Sequence, residues 1–145
     1  MFTKTQNDID RLAAWRKFRQ TFPKNATAQT VVDAFASVKI ETRYLDYYTP
    51  DNWLDVFEIV KYGHFCQSSL TLIITSTLLH LKLVNPSELC FDVVSNHITG
   101  ATGLIFVDNN LVYNFLPGEI VSEQFALDNS TRYMRHIIAL DKFSY

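Results

Sequence analysis

The apolar run from Leu70 to Val84 constrains the fold of this chain more than any other segment. It is interrupted by several hydroxyl side chains, one histidine and one lysine. Its apolar length is therefore shorter than the roughly 20 residues that a membrane-spanning helix needs. We predict a buried central helix from about Cys66 to Leu83 and no membrane span.

The segment that leads into this helix has the features of a nucleophilic cysteine site. Gly63 is expected to be the left-handed residue that ends the preceding helix, and Cys66 stands where the next helix begins. A helix N-terminus carries partial positive charge and free N–H groups, which favour a thiolate. Cys66 is therefore a candidate nucleophile, and Gln67 with the free N–H groups is a candidate oxyanion donor. A buried, structural cysteine is the alternative, since free cysteines are commonly packed inside proteins.

The residues before the run predict further helices. Apolar side chains at helical spacing over residues 8–22 predict an amphipathic helix that Asn7 caps. Thr27 is a second candidate cap, for a helix that runs to about Val38. The segment Thr49-Pro50-Asp51-Asn52 predicts the start of a third helix, because proline suits the first helical position.

Beyond the run the hydrophobic period changes from that of a helix to that of a strand. Alternation around Leu89–Val94 predicts one strand. Two apolar segments flank Asp108-Asn109-Asn110, and because asparagine tolerates positive φ they predict a hairpin. Glu119–Val121 extends this sheet, and Asp128-Asn129-Ser130 is expected to cap a last helix that reaches Leu140.

These elements predict one α+β domain over residues 1–145. N-terminal helices and the buried central helix pack on a small antiparallel sheet. A chain of 145 residues with 48% apolar residues builds such a core without metals or disulfides. Two cysteines and no secretory signal predict a reduced, cytoplasmic protein. The sequence leaves the oligomeric state open.

Composition and spacing also exclude several classes of site. The net charge of −2 disfavours nucleic acid as a partner. No Cys or His spacing suits zinc, and four glycines are too few for an elaborate phosphate loop. We therefore predict no metal and no cofactor. Cys90, His80 and His136 have non-catalytic interpretations: strand packing, a hydrogen-bonded core or interface position, and a surface position.

The order of elements around Cys66 resembles the papain-like superfamily of cysteine hydrolases, especially its transglutaminase-like branch. Two segments carry the resemblance: Gly63-His64-Phe65-Cys66 before the central helix, and the hairpin 102–115 with the Asn114-Phe115-Leu116-Pro117 end. The resemblance implies a papain-like core, with a cysteine at a helix N-terminus and a histidine on the first hairpin strand. It further implies a hydrolase acting on a protein or peptide, or a catalytically degenerate member of the fold.

The histidine that the resemblance implies is not at its usual place. It would fall near Thr102-Gly103, and the nearest histidine is His97 in the preceding loop. His97 is therefore the expected base for Cys66. His64 is an alternative base, although it lies too close in sequence to Cys66 to face it easily.

The third residue of the family pattern is also displaced. It would fall at Leu116, an apolar residue, whereas Asn114 lies two residues earlier on the same face of the strand. The resemblance thus implies Cys66 as nucleophile, His97 as base and Asn114 as the amide that orients the ring. Asp108 at the hairpin turn is a second candidate for that orienting role.

A non-catalytic protein-binding module is the alternative from a different class. Basic residues outnumber acidic ones, seven to three, over residues 1–39, and Arg16, Lys17 and Arg19 lie on the outer face of the first helix. Tyr47 and Tyr48 belong to an aromatic and acidic segment, and tyrosine is enriched at interfaces. A viral or mobile-element accessory protein that binds its partner through either surface has this pattern.

Overall fold

Four helices precede a five-stranded sheet in the computed structural model, which describes residues 7–42, 46–53 and 55–143. The helices and strands, in chain order, are α1 (Asp8–Gln20), α2 (Ala28–Phe35), α3 (Val56–Tyr62), α4 (Gln67–His80), β1 (Glu88–Asn96), β2 (Thr102–Asp108), β3 (Leu111–Tyr113), β4 (Ile120–Ser122), α5 (Glu123–Asp128) and β5 (Ser130–Ala139). The strands are antiparallel in the order β4-β3-β2-β1-β5. The predicted α+β architecture is confirmed.

Local caps set most helix starts where the sequence predicted them. Asn7 Oδ1 accepts a hydrogen bond from Asp10 N at 2.9 Å, which fixes the start of α1. Thr27 and Thr30 form a reciprocal capping box at α2. Such bonds satisfy backbone N–H groups that have no partner within the helix.

The predicted start of the third helix is wrong. Pro50–Asn52 forms only a 3-10 turn, and Thr49 makes no side-chain cap bond there. Helix α3 instead begins at Val56, because Asp55 and Glu58 form a capping box. Two reciprocal bonds at Asp55 outweigh a favourable proline position at Pro50.

Helix α4 is the buried centre of the fold, as predicted. Every residue from Ser68 to Leu78 is buried, and the helix packs on β2 with α2 and α3 over it. Its hydroxyl groups are accommodated by bonds to backbone carbonyls one turn earlier: Thr75 Oγ1 donates to Thr71 O and Thr77 Oγ1 to Ile73 O, both at 2.8 Å. The described ranges contain no helix with the length and apolar content to cross a bilayer.

The predicted hairpin is confirmed. Asn109 and Asn110 both have left-handed φ angles, of 51° and 65°. This is the backbone that a two-residue turn between twisted strands requires, and asparagine adopts it at low cost. Strand β3 pairs with β2 only over Phe106–Asp108, so the first residues of β2 extend beyond it.

The predicted last helix is wrong: residues 130–139 form strand β5, which pairs with β1 along its whole length. Helix α5 ends at Asp128, where the sequence had suggested that a helix begins. The local asparagine and serine signals were real, but the ladder with β1 joins residues far apart in sequence and decides the outcome. A bulge in this ladder lies opposite Val93 and Val94.

A bidentate ion pair holds β5 to β1. Arg135 Nε and Nη2 lie 2.7 and 2.9 Å from the two carboxylate oxygens of Asp92, whose side chain is only 6% exposed. Arg135 also reaches Glu123 on α5 at 3.2 Å. The hydrogen bonds to Asp92 raise the pKa of Arg135 above its ordinary value. Arg132 lies farther from Asp92, at 3.9 Å.

The ion pair predicts a difference between two arginine substitutions. Arg135→Ala leaves the buried Asp92 carboxylate without its close partner, so we expect a loss of about 2–3 kcal/mol in the free energy of unfolding. Arg132→Ala removes only a distant, exposed charge and is expected to cost at most about 0.5 kcal/mol. Urea denaturation of both variants measures the difference, and equal losses would contradict this account of the pair.

A second pair of variants tests the turn that places α4. Gly63 has φ +77°, and a Cβ atom there would lie 2.8 Å from Cδ and Nε of Arg11, whose Nε donates to Val60 O. Gly100 has φ +76° with open space around it. Gly100→Ala should cost about 1 kcal/mol of backbone strain. Gly63→Ala should cost at least about 1 kcal/mol more, because it also displaces Arg11 from the end of α3. The same denaturation measurement on both variants decides this, and indistinguishable losses would rule out a role for Arg11.

Candidate functional site at the start of helix α4

Cys66 is the N-cap of α4, and its thiol is bound within the first turn. Sγ accepts a hydrogen bond from Ser69 N at 3.4 Å and donates to Ser69 Oγ at 3.5 Å. The backbone N–H of Cys66 donates to the same hydroxyl at 2.9 Å. The residue is only 7% exposed. Cys66 is therefore a buried residue whose thiol caps the start of α4.

Gln67 closes the part of β2 that β3 leaves unpaired. Its Oε1 accepts from Leu104 N and its Nε2 donates to Leu104 O, both at 2.8 Å. The side-chain amide thus reproduces the two bonds that a neighbouring strand would make. Thr71 Oγ1 donates to the same carbonyl oxygen at 2.6 Å. The first turn of α4 is therefore joined directly to the sheet.

Gly103 leaves the space that the Gln67 side chain occupies. A Cβ atom at position 103 would lie 2.5 Å from Oε1 and 2.6 Å from Cδ of Gln67. No side chain fits there while Gln67 keeps its bonds. Thr102-Gly103 is also where the family resemblance implied a histidine. Sequence reasoning did not find this contact, although an isolated glycine inside a strand is a known sign of close approach.

Asn114 lies beside Gln67, where it binds the helix. It leaves β3 with a left-handed φ of 66°. Its Nδ2 donates to Gln67 O at 3.1 Å and to Thr71 Oγ1 at 2.8 Å. The structure therefore brings Cys66, Gln67 and Asn114 to one corner of the molecule. The amide of Asn114 binds the first turn of the helix there, and in the described ranges it makes no hydrogen bond to an imidazole.

His97 lies at the β5 side of the sheet. Its backbone N–H donates to Asn129 O at 2.8 Å, and Nε2 lies 2.9 Å from Thr131 Oγ1. The alternative base His64 is exposed and pairs with Glu41 at 3.2 Å. Within the described residues, no imidazole is within hydrogen-bonding distance of the Cys66 sulfur. Asp108, the alternative orienting residue, is four positions beyond Leu104 on β2, or about 13 Å along the strand.

The surroundings of His136 differ from the predicted surface position, whereas those of Cys90 agree with its predicted role. His136 is half-buried rather than on the surface: Nε2 donates to Tyr47 O at 2.6 Å, and the ring packs edge-on against Trp53. Cys90 is partly buried, and burial, with Asp92 nearby, raises the pKa of its thiol. A raised pKa disfavours the thiolate and agrees with the predicted packing role of Cys90.

The basic face of α1 is only partly solvated. Arg16 and Lys17 are exposed, whereas Arg19 lies 3.9 Å above the Trp15 ring and donates to His80 Nδ1 at 3.2 Å. Burial is the main cause that lowers the pKa of both Arg19 and His80. His80 is thus an exposed hydrogen-bond acceptor at the end of α4 and not a core residue.

The aromatic and acidic segment that contains Tyr47 and Tyr48 is likewise only partly exposed. Tyr47 is half-buried and its hydroxyl donates to Thr102 O at 3.4 Å, while Tyr48 is 78% exposed. Residues 43–45 of this predicted surface lie outside the described residues. In the described ranges, no group of three or more His, Cys, Asp or Glu side chains could hold a metal ion.

Two hollows flank Asn114. The sheet hollow, of about 230 Å³, lies between the β1–β2 loop and Phe115. The helix hollow, of about 210 Å³, lies between α2 and α4. Both are lined in part by the same three residues, Ile40, Asn114 and Pro117. The two hollows therefore adjoin each other beside Asn114.

Comparison with solved structures places the fold. The chain is similar to calcium-bound LapG of Legionella pneumophila, with a TM-score of 0.65 and 15% identity over 97% of this chain and 84% of that chain. Another LapG structure gives a TM-score of 0.65 with 14% identity over 95% and 83% of the two chains. The EGTA-treated form gives 0.63 with 14% identity over 99% and 84%. No protein-family model and no curated protein sequence matches.

These similarities confirm the papain-like fold that the sequence predicted. At 14–15% identity they show the fold alone. Any catalytic activity would depend on the residues at the start of α4.

The contact between Gln67 and Gly103 predicts a coupled effect of two substitutions. Gly103→Ala forces the Gln67 amide out of place, so we expect a loss of about 2–3 kcal/mol in the free energy of unfolding. In Gln67→Ala the obstructing side chain is gone, so adding Gly103→Ala should cost at least about 1 kcal/mol less than it does alone. Urea denaturation of the wild type, both single variants and the double variant gives this coupling energy.

Thr102→Ala supplies the control for this cycle. Thr102 is exposed and adjacent to Gly103, but its side chain makes no hydrogen bond with the described residues. Its effect should add to that of Gln67→Ala within about 0.5 kcal/mol. Additive effects of Gly103→Ala and Gln67→Ala would mean that the two residues do not obstruct each other.

Proposed function

We propose that this chain is a catalytically degenerate member of the papain-like fold, which binds a protein or peptide partner without cleaving it. The observation that supports this most strongly is the closure of β2 by the Gln67 amide against Gly103. The resemblance puts the histidine of a papain-like enzyme near Thr102-Gly103, where neither residue is a histidine and the Gln67 side chain occupies the space beside Gly103.

The chemistry of the thiol supports the same proposal. A cysteine nucleophile needs an adjacent base, which Cys66 lacks among the described residues. It also needs access to substrate, whereas Cys66 is only 7% exposed. An oxyanion hole needs free donors. The Gln67 Nε2 group already donates to Leu104 O and to Asn114 O.

A live cysteine hydrolase is the second candidate. It is favoured by the position of Cys66 at the N-terminus of a long buried helix, which stabilises a thiolate. In this candidate Cys66, His97 and Asn114 act as nucleophile, base and orienting amide, with Gln67 as the oxyanion donor. It requires a rearrangement that frees Gln67 and moves His97 away from Thr131. For both candidate functions we propose a cytoplasmic location.

Thiol labelling distinguishes the two candidates. We expect iodoacetamide at pH 6 to leave Cys66 of the native protein unmodified, because the residue is buried and no base among the described residues can deprotonate its thiol. Denaturation followed by labelling at pH 8 should modify both cysteines. Peptide mapping by mass spectrometry reads out each site, and a Cys66→Ser variant identifies the peptide that contains Cys90.

A matching activity assay uses fluorogenic casein with wild type and Cys66→Ser. Equal, background hydrolysis by the two proteins is expected. Selective modification of native Cys66 at pH 6, or hydrolysis that Cys66→Ser abolishes, would overturn the proposed loss of catalysis and support the hydrolase.

A further inference from the structure

We propose that Arg19 and His80 form a pH-sensitive latch between the ends of α1 and α4, which is closed while His80 is neutral and opens when its ring is protonated. Opening releases the Arg19 guanidinium from the Trp15 ring into solvent. The latch does not depend on whether Cys66 is catalytic. It is carried by one hydrogen bond whose direction is fixed and by the packing of the guanidinium.

The hydrogen bond between the two side chains fixes the charge of His80. Arg19 Nη1 lies 3.2 Å from His80 Nδ1. A guanidinium group has only N–H donors and stays protonated in proteins, so Nδ1 must be the acceptor. A ring that accepts at Nδ1 carries its single proton on Nε2 and is neutral. The contact therefore exists only in the neutral form of His80.

The guanidinium is packed against an aromatic ring and is not fully solvated. Its Cζ lies 3.9 Å from the centroid of the Trp15 ring, a cation–π distance, and Trp15 is 0% exposed. Arg19 Nε is buried and makes no hydrogen bond with the described residues. A buried N–H without an acceptor is costly, and water would satisfy it. The closed position of Arg19 therefore depends on the acceptor that His80 supplies.

Among the described residues, the charged groups at this contact are cationic. Arg19 faces His80 from α1, Arg16 stands three residues earlier on the same helix, and Lys82 follows His80 by two residues. No carboxylate of the described ranges forms an ion pair with Arg19 or His80. Protonation of His80 would thus remove the acceptor and set two positive charges side by side, with no described anion to offset them.

The pKa of His80 agrees with this geometry. Burial, followed by the charge of Arg19, lowers the pKa of His80 below its ordinary value of 6.5. The end of a helix alone would favour the imidazolium, because the last carbonyl groups attract a cation. Since the folded protein takes up this proton less readily than the unfolded chain, the closed contact stabilises the fold above pH 6.5. That stability decreases as the pH falls below this value.

Opening would change the surface of α1. Arg16 and Lys17 are already exposed on this helix, whereas Arg19 is only partly exposed. Release of Arg19 adds a third solvated cation to them and uncovers the face of Trp15 that the guanidinium covers. The end of α1 is therefore more cationic, and its aromatic ring more accessible, when His80 is protonated.

A nuclear magnetic resonance titration from pH 5 to pH 8 tests the His80 side of the latch. The imidazole Cε1–H signal of His80, identified by its loss in His80→Asn, gives the titration midpoint. We expect this midpoint to move to higher pH in Arg19→Ala, which removes the charge that opposes an imidazolium. Lys17→Ala is the matched control, because it removes an exposed cation of the same helix that makes no hydrogen bond to His80. It should leave the midpoint unchanged.

The same titration follows the Arg19 side of the latch. The ring current of Trp15 shifts the Arg19 Nε–H signal upfield while the guanidinium lies over the ring. In the wild type we expect this signal to move toward the position of a solvated arginine as His80 is protonated. In His80→Asn the amide oxygen can accept from Arg19 but cannot be protonated, so the signal should keep its upfield position at every pH. Circular dichroism establishes that each variant is folded.

Two results would each overturn the latch. One is the same His80 midpoint in Arg19→Ala and Lys17→Ala. The other is an Arg19 signal of the wild type that stays in place while His80 titrates, and this measurement needs no substitution of Arg19. Neither result concerns Cys66, so thiol labelling and casein hydrolysis test the proposed function separately.

Discussion

Two hydrogen bonds between the Gln67 side-chain amide and the backbone of Leu104 join the helical part of this fold to its sheet. Gln67 supplies to Leu104 the donor and the acceptor that β3 would have supplied if it continued. Without them, two backbone groups of a buried strand would be left unsatisfied, which costs several kcal/mol. The contact joins the first turn of α4 to β2, and Asn114 binds the same turn just beyond the end of β3.

Those parts of the fold that depend on neighbouring residues could be predicted from the sequence. The caps at Asn7 and Thr27, the left-handed Gly63 and the asparagine turn of the hairpin are each satisfied by bonds within a few residues. The α4 helix was predictable because its apolar run has no other stable environment. Strand β5 was not, because its conformation is decided by pairing with β1, about forty residues earlier.

In the candidate site, too, features set by neighbouring residues were predictable and contacts between distant residues were not. Cys66 stands at the helix start that the sequence predicted. Only the family resemblance suggested that Asn114 belongs with Cys66, and Asn114 binds the first turn of the same helix. It did not reveal that Gln67 fills the space above Gly103, since that contact joins a helix to a strand. The catalytic roles of Cys66, His97 and Asn114, and the partner surfaces at Arg16, Lys17, Arg19, Tyr47 and Tyr48, stay predictions. The positions of His97 and Tyr47 were set by contacts with β5 and β2 that the sequence could not show.

Strand β5 lies at the margin of the sheet, and its outer backbone groups face away from β1. An unpaired edge strand can pair with the edge strand of another molecule and start a filament, unless its geometry or its charge hinders that pairing. Both features are present here: the bulge opposite Val93 and Val94 increases the local twist, and the partly exposed Arg132 adds a positive charge on β5. These two features thus hinder the pairing of β5, the longest strand of the sheet, with β5 of a second molecule.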